Sequence, residues 1–181
     1  MRLEKLTNIM KNLKFILIFA ISVMAISCGN DDDGTPAGPT LTPALLEGTY
    51  NFTFLESEEV IEQQVTGGTA TTTITEVGDT FGSSNIVFNA NGTYTTSFQY
   101  RLTTTTQLKN NDPVEETEII VDSDTGSYTV NDADQTITFD GGNTGDVTSF
   151  NNSQLRIEFM DVDVSTDRTS TTNQEFRFER Q

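Results

Sequence analysis

The 181-residue sequence contains no histidine, no tryptophan and a single cysteine. Without histidine the chain cannot build a Ser-His-Asp or Cys-His catalytic arrangement, and one cysteine is too few for a cysteine-rich zinc site. Carboxylate pairs remain available for general acid–base chemistry, yet an acidic chain brings carboxylates together by chance. We therefore predict that the protein is not an enzyme and that it holds no cofactor.

Basic residues are also scarce, with 10 lysines and arginines against 27 acidic residues. Four of the basic residues lie before residue 28, so the rest of the chain has six against 26 acidic residues, a net charge of −20. Nucleic-acid binding depends on neutralising phosphates with lysine and arginine. We therefore predict no nucleic-acid partner, whereas positively charged ligands remain compatible with the composition.

The N-terminal residues have the pattern of a targeting segment. Basic residues precede an apolar run, FILIFAISVMAI, which is shorter than the ~20 residues that span a bilayer. The run leads through small residues into Cys28, the only cysteine. Translation starts at Met1 or at Met10, because MKNLKFILIF is a sufficient signal by itself. The pattern predicts a signal peptide over residues 1–27.

Cys28 and its flanks resemble the lipobox of bacterial lipoproteins, in which the cysteine becomes the first mature residue and is acylated. The resemblance implies acyl chains on Cys28 that hold the protein on a membrane, since each buried methylene contributes about 0.8 kcal/mol. The alternative is a chance cysteine after an ordinary signal peptide.

Residues 28–40 are predicted to form a tether. Asp31, Asp32 and Asp33 form an acidic run, and the following TPAGPT is typical of a flexible linker. An acidic run soon after a lipidated cysteine resembles the surface-export signal of Bacteroidetes lipoproteins. This resemblance implies an outer-membrane location on the cell-surface face. The alternative is a solvated tether that its charge keeps extended.

Residues 41–181 have the length of one domain and alternate apolar with polar residues. Tyr50, Phe52 and Phe54 are predicted to share one face of the first strand. Gly67-Gly68 and NANG at residues 89–92 indicate hairpin turns, and Gly126 is predicted to complete another. The pattern predicts an all-β, up-and-down antiparallel meander of short strands. Such a chain closes into a barrel of about 8–10 strands or forms a two-sheet sandwich.

Several stretches resemble the lipocalin-like domains of secreted Bacteroidetes lipoproteins: TPALLEGTYNFTF, IVFNANGTYTTSF, TGSYTV with QTITFDGG, and the final EFRFER. The resemblance implies a short helical turn before a strand that closes one end of a barrel. Gly48 matches the family glycine, and Tyr50 stands where tryptophan is commoner. The family also implies an arginine over that ring, either Arg177 or Arg180, and a calyx for a small apolar ligand.

An alternating aromatic set provides candidates for lining such a ligand cavity. The alternative is a plain core, because a barrel of about eight strands either holds one small ligand or fills with side chains. The candidates are Tyr50, Phe52, Phe88, Tyr94, Phe98, Tyr100, Phe139 and Phe159.

Asp161 and Asp163 are weak candidates for binding calcium, because in a strand they point the same way and their repulsion favours a cation. Their spacing lacks the glycine and distal glutamate of an EF-hand loop. Asp122-Ser123-Asp124 is a further candidate for binding calcium, but the same residue types are typical of a hairpin turn. We predict no metal site.

Together these features predict a lipid-anchored, surface-exposed outer-membrane lipoprotein with a lipocalin-like domain that binds a small apolar or amphipathic ligand. The alternative is a non-enzymatic structural or interaction module whose acidic, threonine-rich faces bind an envelope protein or glycan.

Overall fold

The computed structural model describes residues 40–181. The predicted signal peptide, Cys28 and the acidic run Asp31, Asp32 and Asp33 lie outside the described residues. A short helix precedes nine β-strands. The elements are α1 (Pro43–Leu46), β1 (Gly48–Val65), β2 (Gly68–Asp79), β3 (Asn85–Phe88), β4 (Thr93–Leu108), β5 (Val114–Asn131), β6 (Thr136–Phe139), β7 (Thr144–Phe150), β8 (Gln154–Val164) and β9 (Arg168–Arg180).

The nine strands form one antiparallel sheet, and its hydrogen-bonded neighbours close into a ring. Their order is β2-β1-β3-β4-β5-β6-β7-β8-β9, and β1 also pairs with β9 while β2 pairs with β4. The predicted all-β antiparallel meander is confirmed, and the ring of strand pairings makes the sheet barrel-like. The prediction that all of its strands are short is wrong, because β1 and β5 have 18 residues each. No helix within residues 40–181 is long and apolar enough to cross a membrane.

The predicted hairpin turns at the two glycine sites are confirmed. Gly67 and Gly68 connect β1 to β2 with φ values of +98° and +150°. Gly92, with φ +81°, donates its N–H to the carbonyl of Asn89 at 3.0 Å and leads into β4. Glycine suits these positions because it adopts positive φ without steric cost.

The prediction that Gly126 completes a turn is wrong, because Gly126 lies inside the 18-residue strand β5. A Cβ atom at this position would lie 2.3 Å from Oδ1 of Asp140. Glycine therefore suits this position because the Asp140 carboxylate lies close to the main chain, and not because the chain turns here. Asp122-Ser123-Asp124 belongs to the same strand and not to a turn.

The prediction that Phe54 shares a face with Tyr50 and Phe52 is also wrong. The pairing of β1 with β9 shifts register between Phe52 and Phe54, which marks a β-bulge. Past the bulge, Leu55 faces inward and Phe54 faces outward, where the Arg177 guanidinium lies 4.1 Å from its ring centroid.

Buried side chains gather at one end of the ring, which we call the closed end. The short strands β3, β6 and β7 complete the ring here, and α1 packs over it with Leu41 and Leu46 at most 1% exposed. The Leu41 N–H donates to Asp132 Oδ1 at 2.5 Å, which ties this segment to the β5–β6 turn. The buried apolar residues are Leu41, Leu46, Tyr50, Phe52, Leu55, Ile86, Phe88, Tyr94, Leu102, Tyr128, Ile137, Val147, Leu155, Ile157 and Phe178.

Six strands continue beyond the closed end in the order β5-β4-β2-β1-β9-β8. Threonines and acidic residues are common in these extensions, and their side chains are half-buried or exposed apart from Ser57 and Ser170. We call this part the open end. It comprises residues 57–65, 68–76, 103–108, 114–122, 159–164 and 168–174.

Candidate functional site

The structure brings the eight aromatic candidates to the inner face of the ring. Four of them are at most 7% exposed, namely Tyr50, Phe52, Phe88 and Tyr94. The other four pack against this core and stay half-buried: Phe98, Tyr100, Phe139 and Phe159.

Phe52 is the centre of the larger aromatic cluster. Its ring centroid lies 4.7 Å from that of Phe81, 5.1 Å from that of Phe98 and 5.2 Å from that of Phe178. Tyr100 and Phe176 contact it as well. These are the spacings of packed aromatic pairs, so side chains fill the ring around Phe52.

Tyr50 and its neighbours form a second cluster beneath α1. The Phe88 ring lies 5.8 Å from Tyr50 and 5.0 Å from Tyr128, in edge-to-face arrangements. Tyr128 donates its hydroxyl to the carbonyl of Asn89 at 2.9 Å. Burial raises the pKa of Tyr50, and burial is also the main cause that raises the pKa of Tyr128 to about 12.

Arg180, rather than Arg177, is the arginine that lies over Tyr50. Its guanidinium carbon is 5.5 Å from the Tyr50 ring centroid, and it donates to the carbonyl of Glu47. A Cβ at Gly48 would lie 2.9 Å from Nε of Arg180. Glycine at this position therefore allows the arginine to approach the main chain.

Four half-buried rings mark the boundary between the core and the open end. We call Phe98, Tyr100, Phe159 and Phe176 the aromatic floor. Phe159 and Phe176 contact each other edge to face at 5.6 Å, whereas Phe98 and Tyr100 both contact Phe52. These rings combine firm packing on one side with partial exposure on the other.

Acidic side chains share the inner face above the aromatic floor. Alternation along each strand places Glu59, Glu76, Glu118, Asp122, Asp161 and Asp163 on the same face as the buried residues of that strand. Burial, together with the carboxylates of Glu76, Asp122 and Glu118, raises the pKa of Tyr100 to about 12. The negative charge therefore acts directly on the floor.

Arg168 is the one basic residue on the inner face of the open end within residues 40–181. It lies 3.1 Å from Glu59 and 3.9 Å from Asp163. Ser170 also donates its hydroxyl to Glu59 at 2.5 Å. Glu59 is therefore well partnered.

Glu76, by contrast, has neither a hydrogen-bond nor an ion-pair partner within residues 40–181. Burial raises its pKa above the usual 4.5, and the neighbouring charges of Glu59 and Glu118 raise it further. A carboxylate in this position favours the arrival of a positive charge.

Asp161 and Asp163 share the inner face of β8 as predicted, but both are exposed. Across residues 40–181, no group of three potential ligands is positioned to hold a metal ion. Asp124 instead lies near Tyr94, whose hydroxyl is 3.3 Å from Asp124 and donates to Asp140 at 2.9 Å. Burial and the bond to Asp140 raise the pKa of Tyr94.

A groove of about 430 Å³ runs over β8 and β9, largely on the outer face of the sheet. Arg156 lies in it and forms ion pairs with Glu158 at 2.8 Å and Glu175 at 2.9 Å. Of the predicted aromatic candidates only Phe159 lines this groove. Internal ion pairs thus occupy the outer groove, and the predicted rings converge elsewhere.

Sequence reasoning missed Phe81 as a member of the aromatic set. Phe81 lies in the connection between β2 and β3, where no alternation marks it. Its ring packs on Phe52 and Tyr100 and fills the space beside Gly78, where a Cβ would lie 3.1 Å from the ring. A bulky aromatic residue a few positions after a strand glycine was the available signal.

The chain matches no protein-family model, no curated protein and no solved structure.

Proposed function

We propose that the protein is a lipid-anchored, non-enzymatic binding protein that takes a small amphipathic ligand at its open end. The apolar part of the ligand rests on the aromatic floor, and a positively charged group lies among the inner carboxylates. The observation that carries this proposal is the floor itself, where Phe98, Tyr100, Phe159 and Phe176 are only half-buried beneath an acidic inner face.

Both parts of such a ligand would gain free energy. Covering the floor removes apolar surface from water, which contributes about 25 cal/mol per Å². A cation near Glu76 offsets the repulsion that Glu59 and Glu118 exert on that carboxylate. A neutral apolar ligand would gain only the first contribution, and an anion would meet repulsion.

The anchor and the location rest on the N-terminal sequence. Cys28 in its lipobox-like context supports acylation, and the acidic run at residues 31–33 supports display on the outer surface. The lipocalin-like character of the domain is supported by α1 preceding the strand that carries Tyr50 and by Arg180 over that ring.

Cys28→Ser should release the protein from membranes, and deletion of residues 31–33 should remove protease accessibility on intact cells. Unchanged membrane retention of Cys28→Ser would contradict the lipid anchor, and unchanged protease accessibility of the deletion variant would contradict surface export by the acidic run.

A matched set of alkyl probes tests the binding proposal. Dodecyltrimethylammonium, a neutral dodecyl glycoside and dodecanesulfonate, each below its micelle concentration, are titrated into isotopically labelled protein and followed by NMR. The cationic probe should bind most tightly and shift the resonances of Phe98, Tyr100 and Phe176. Equal binding of all three, or shifts confined to the Tyr50 cluster, would contradict the proposal.

Two variants in which amides replace carboxylates make the same test more specific. Glu76→Gln with Asp122→Asn removes inner charge and should weaken binding of the cationic probe by about three- to tenfold, as exposed charge pairs contribute modestly. Glu56→Gln with Glu58→Gln, both on the outer face, removes the same number of charges and should leave the affinity unchanged. Native mass spectrometry of protein purified from its own host then identifies the natural ligand, and repeatedly empty protein would count against the proposal.

A module that binds an envelope protein is the second candidate function. The observation that favours it is a pair of strand edges at the open end, on β5 and β8, that have no neighbouring strand among residues 40–181.

A further inference from the structure

The ring of strands is interrupted at the open end between β5 and β8. The pairing of β6 with β5 reaches only Tyr128–Asn131, and the pairing of β7 with β8 ends at Glu158. Beyond these points β5 pairs only with β4, and β8 pairs only with β9, among residues 40–181. Two strand edges therefore flank one gap.

The hydrogen-bond pattern identifies which main-chain groups face the gap on β8. Ser165 donates to Arg168 and Arg180 donates to Ser153, both at 2.8 Å and both in the register that joins β8 to β9. Antiparallel ladders alternate between bonded and non-bonded pairs, so odd-numbered residues of β8 bond to β9. Even-numbered residues point the other way, as the bond from Asn151 to the carbonyl of Gln154 shows.

Met160, Val162 and Val164 accordingly direct their N–H and C=O groups into the gap. Their side chains lie on the outer face and are 73%, 47% and 68% exposed. Asp161 and Asp163 alternate with them on the inner face. The edge of β8 is thus apolar outward and acidic inward.

The facing edge of β5 repeats this pattern. Tyr128 donates to Gly92, the residue before β4, and Ser127 accepts from Asp140 next to β6, so odd-numbered residues of β5 face the gap. Among them, Ile119 and Val121 carry outward side chains that are 62% and 74% exposed. Glu118 and Asp122 lie inward.

The outward apolar residues are concentrated where a sheet normally avoids them. At the open end, β2, β4 and β9 each have a neighbouring strand on both sides. Their outer faces carry threonine, for example Thr75, Thr105 and Thr171. Exposed valine and isoleucine are unusual at an open edge, whereas inward-pointing charges such as Asp161 and Asp163 on β8 are a common protection against unwanted pairing. The outward apolar residues therefore favour the addition of a strand, and the inward carboxylates restrict it to a strand that carries basic residues.

We infer that the β8 edge adds an extended peptide segment of a partner protein in which apolar residues alternate with lysine or arginine. The main chain of the segment bonds to Met160, Val162 and Val164, as in strand addition. Its apolar residues lie beside the outward side chains, and its basic residues meet Asp161 and Asp163.

A second copy of this chain fits the edge poorly. Antiparallel pairing of two β8 edges about Val162 places Asp161 of each copy directly opposite Asp163 of the other. Like charges in that position are destabilising. Charge complementarity therefore selects a basic partner over self-association. The peptide and the small ligand share Asp161 and Asp163, but the peptide is held by the main chain of the β8 edge and the small ligand by the aromatic floor, so the N-methylated peptide and the alkyl probes test them separately.

Synthetic peptides test the inference on the full-length protein. A peptide of alternating lysine and valine is compared with its glutamate–valine and lysine–serine counterparts and with an N-methylated version that lacks main-chain donors. Only the first should bind, and it should slow hydrogen exchange at Met160, Val162 and Val164. Equal binding of the glutamate peptide, or protection at other strands only, would overturn the inference.

Protein variants separate the two contributions to binding. Asp161→Asn with Asp163→Asn should weaken binding of the lysine–valine peptide by about three- to tenfold. Val162→Pro removes one edge donor without touching the β8–β9 ladder and should weaken it at least as much, whereas Val162→Thr keeps the donor. If Val162→Pro fails to fold, the N-methylated peptide still tests the main-chain bonds on unaltered protein. Protection of the same amides at high protein concentration without peptide would instead show self-association and overturn the inference.

Discussion

The closed and open ends are made from the same long strands, yet their inner faces differ in kind. At the closed end the inner side chains are aromatic and aliphatic, and most are under 10% exposed. At the open end the inward side chains of the same strands are mostly serine, threonine and carboxylates, with a few half-buried isoleucines such as Ile61 and Ile74. One end therefore buries apolar surface that stabilises the fold, whereas the other leaves main-chain edges and charges available for binding. Under the proposed function, the contacts that stabilise the fold and the groups that bind a ligand or peptide therefore lie in different parts of the same strands.

Truncating matched isoleucines should give the largest difference between the two ends. Ile137 is 0% exposed at the closed end, so Ile137→Ala should lower the free energy of unfolding by about 2–5 kcal/mol. Ile61 is half-buried at the open end, and Ile61→Ala should cost about 1 kcal/mol because it leaves no enclosed cavity. Urea denaturation measures both. Equal losses would show that the open end is as important for stability as the closed end.

Adding one methyl group should test how tightly the closed end is packed. A Cβ at Gly145 would lie 2.6 Å from Cγ2 of Ile157 and 2.8 Å from the Phe159 ring. Overpacking of this kind costs about 1–3 kcal/mol, and thermal or urea unfolding of Gly145→Ala measures it. The exposed neighbour Asp146 provides the control, since Asp146→Ala should stay within about 0.5 kcal/mol. An unchanged stability of Gly145→Ala would mean that β7 and β8 lie further apart than described.

Two tyrosine hydroxyls should differ in their contribution to stability. Tyr94 donates to Asp140, so Tyr94→Phe should cost about 1 kcal/mol. The Tyr100 hydroxyl has no hydrogen-bond partner within residues 40–181, so Tyr100→Phe should change the free energy of unfolding by only a few tenths of a kcal/mol, or about zero. Equal losses for the two variants would contradict the described Tyr94–Asp140 bond.

Neutralising Glu76 should stabilise the protein slightly, and only above acidic pH. Its pKa in the folded protein is raised above the usual 4.5, so ionisation is harder in the folded than in the unfolded state. Its charge therefore destabilises the fold at pH 7 and has no effect below both pKa values. Glu76→Gln should raise the free energy of unfolding at pH 7, and the gain should disappear as the pH falls below about 4. A gain that persists at low pH would assign the effect to packing.

The hairpin turns and the class of fold were predictable because both follow from local chemistry. Gly67-Gly68 and the Asn89–Gly92 turn each carry their own signal, and alternation marks the strands of the closed end. The lengths of the strands were not predictable. Residues 103–106 are four consecutive threonines and residues 115–118 are three acids and a threonine, so neither stretch alternates. The two stretches pair with each other across the β4–β5 hairpin, and residues 103–106 also pair with the more distant β2, so pairing and not alternation extends these strands.

The candidate site was predictable only in part, for a related reason. The aromatic residues were found because they alternate, but one β-bulge reverses the face of every later residue in β1. Phe54 consequently lies outside under Arg177, and Glu59 lies inside with Arg168. The shared inner face of the carboxylates and the two open edges depend on register between distant strands, for which the sequence holds no local signal.

Hydrogen exchange along β1 tests the division between the two ends most directly, because this strand runs through both. Amides at residues 50–55 should exchange only through global unfolding, whereas those at residues 61–65 should exchange through local opening and much faster. Each amide is then compared with the free energy of unfolding measured by denaturation. Uniform protection along all of β1 would contradict the account, because it would make the strand a single cooperative element with no separate open end.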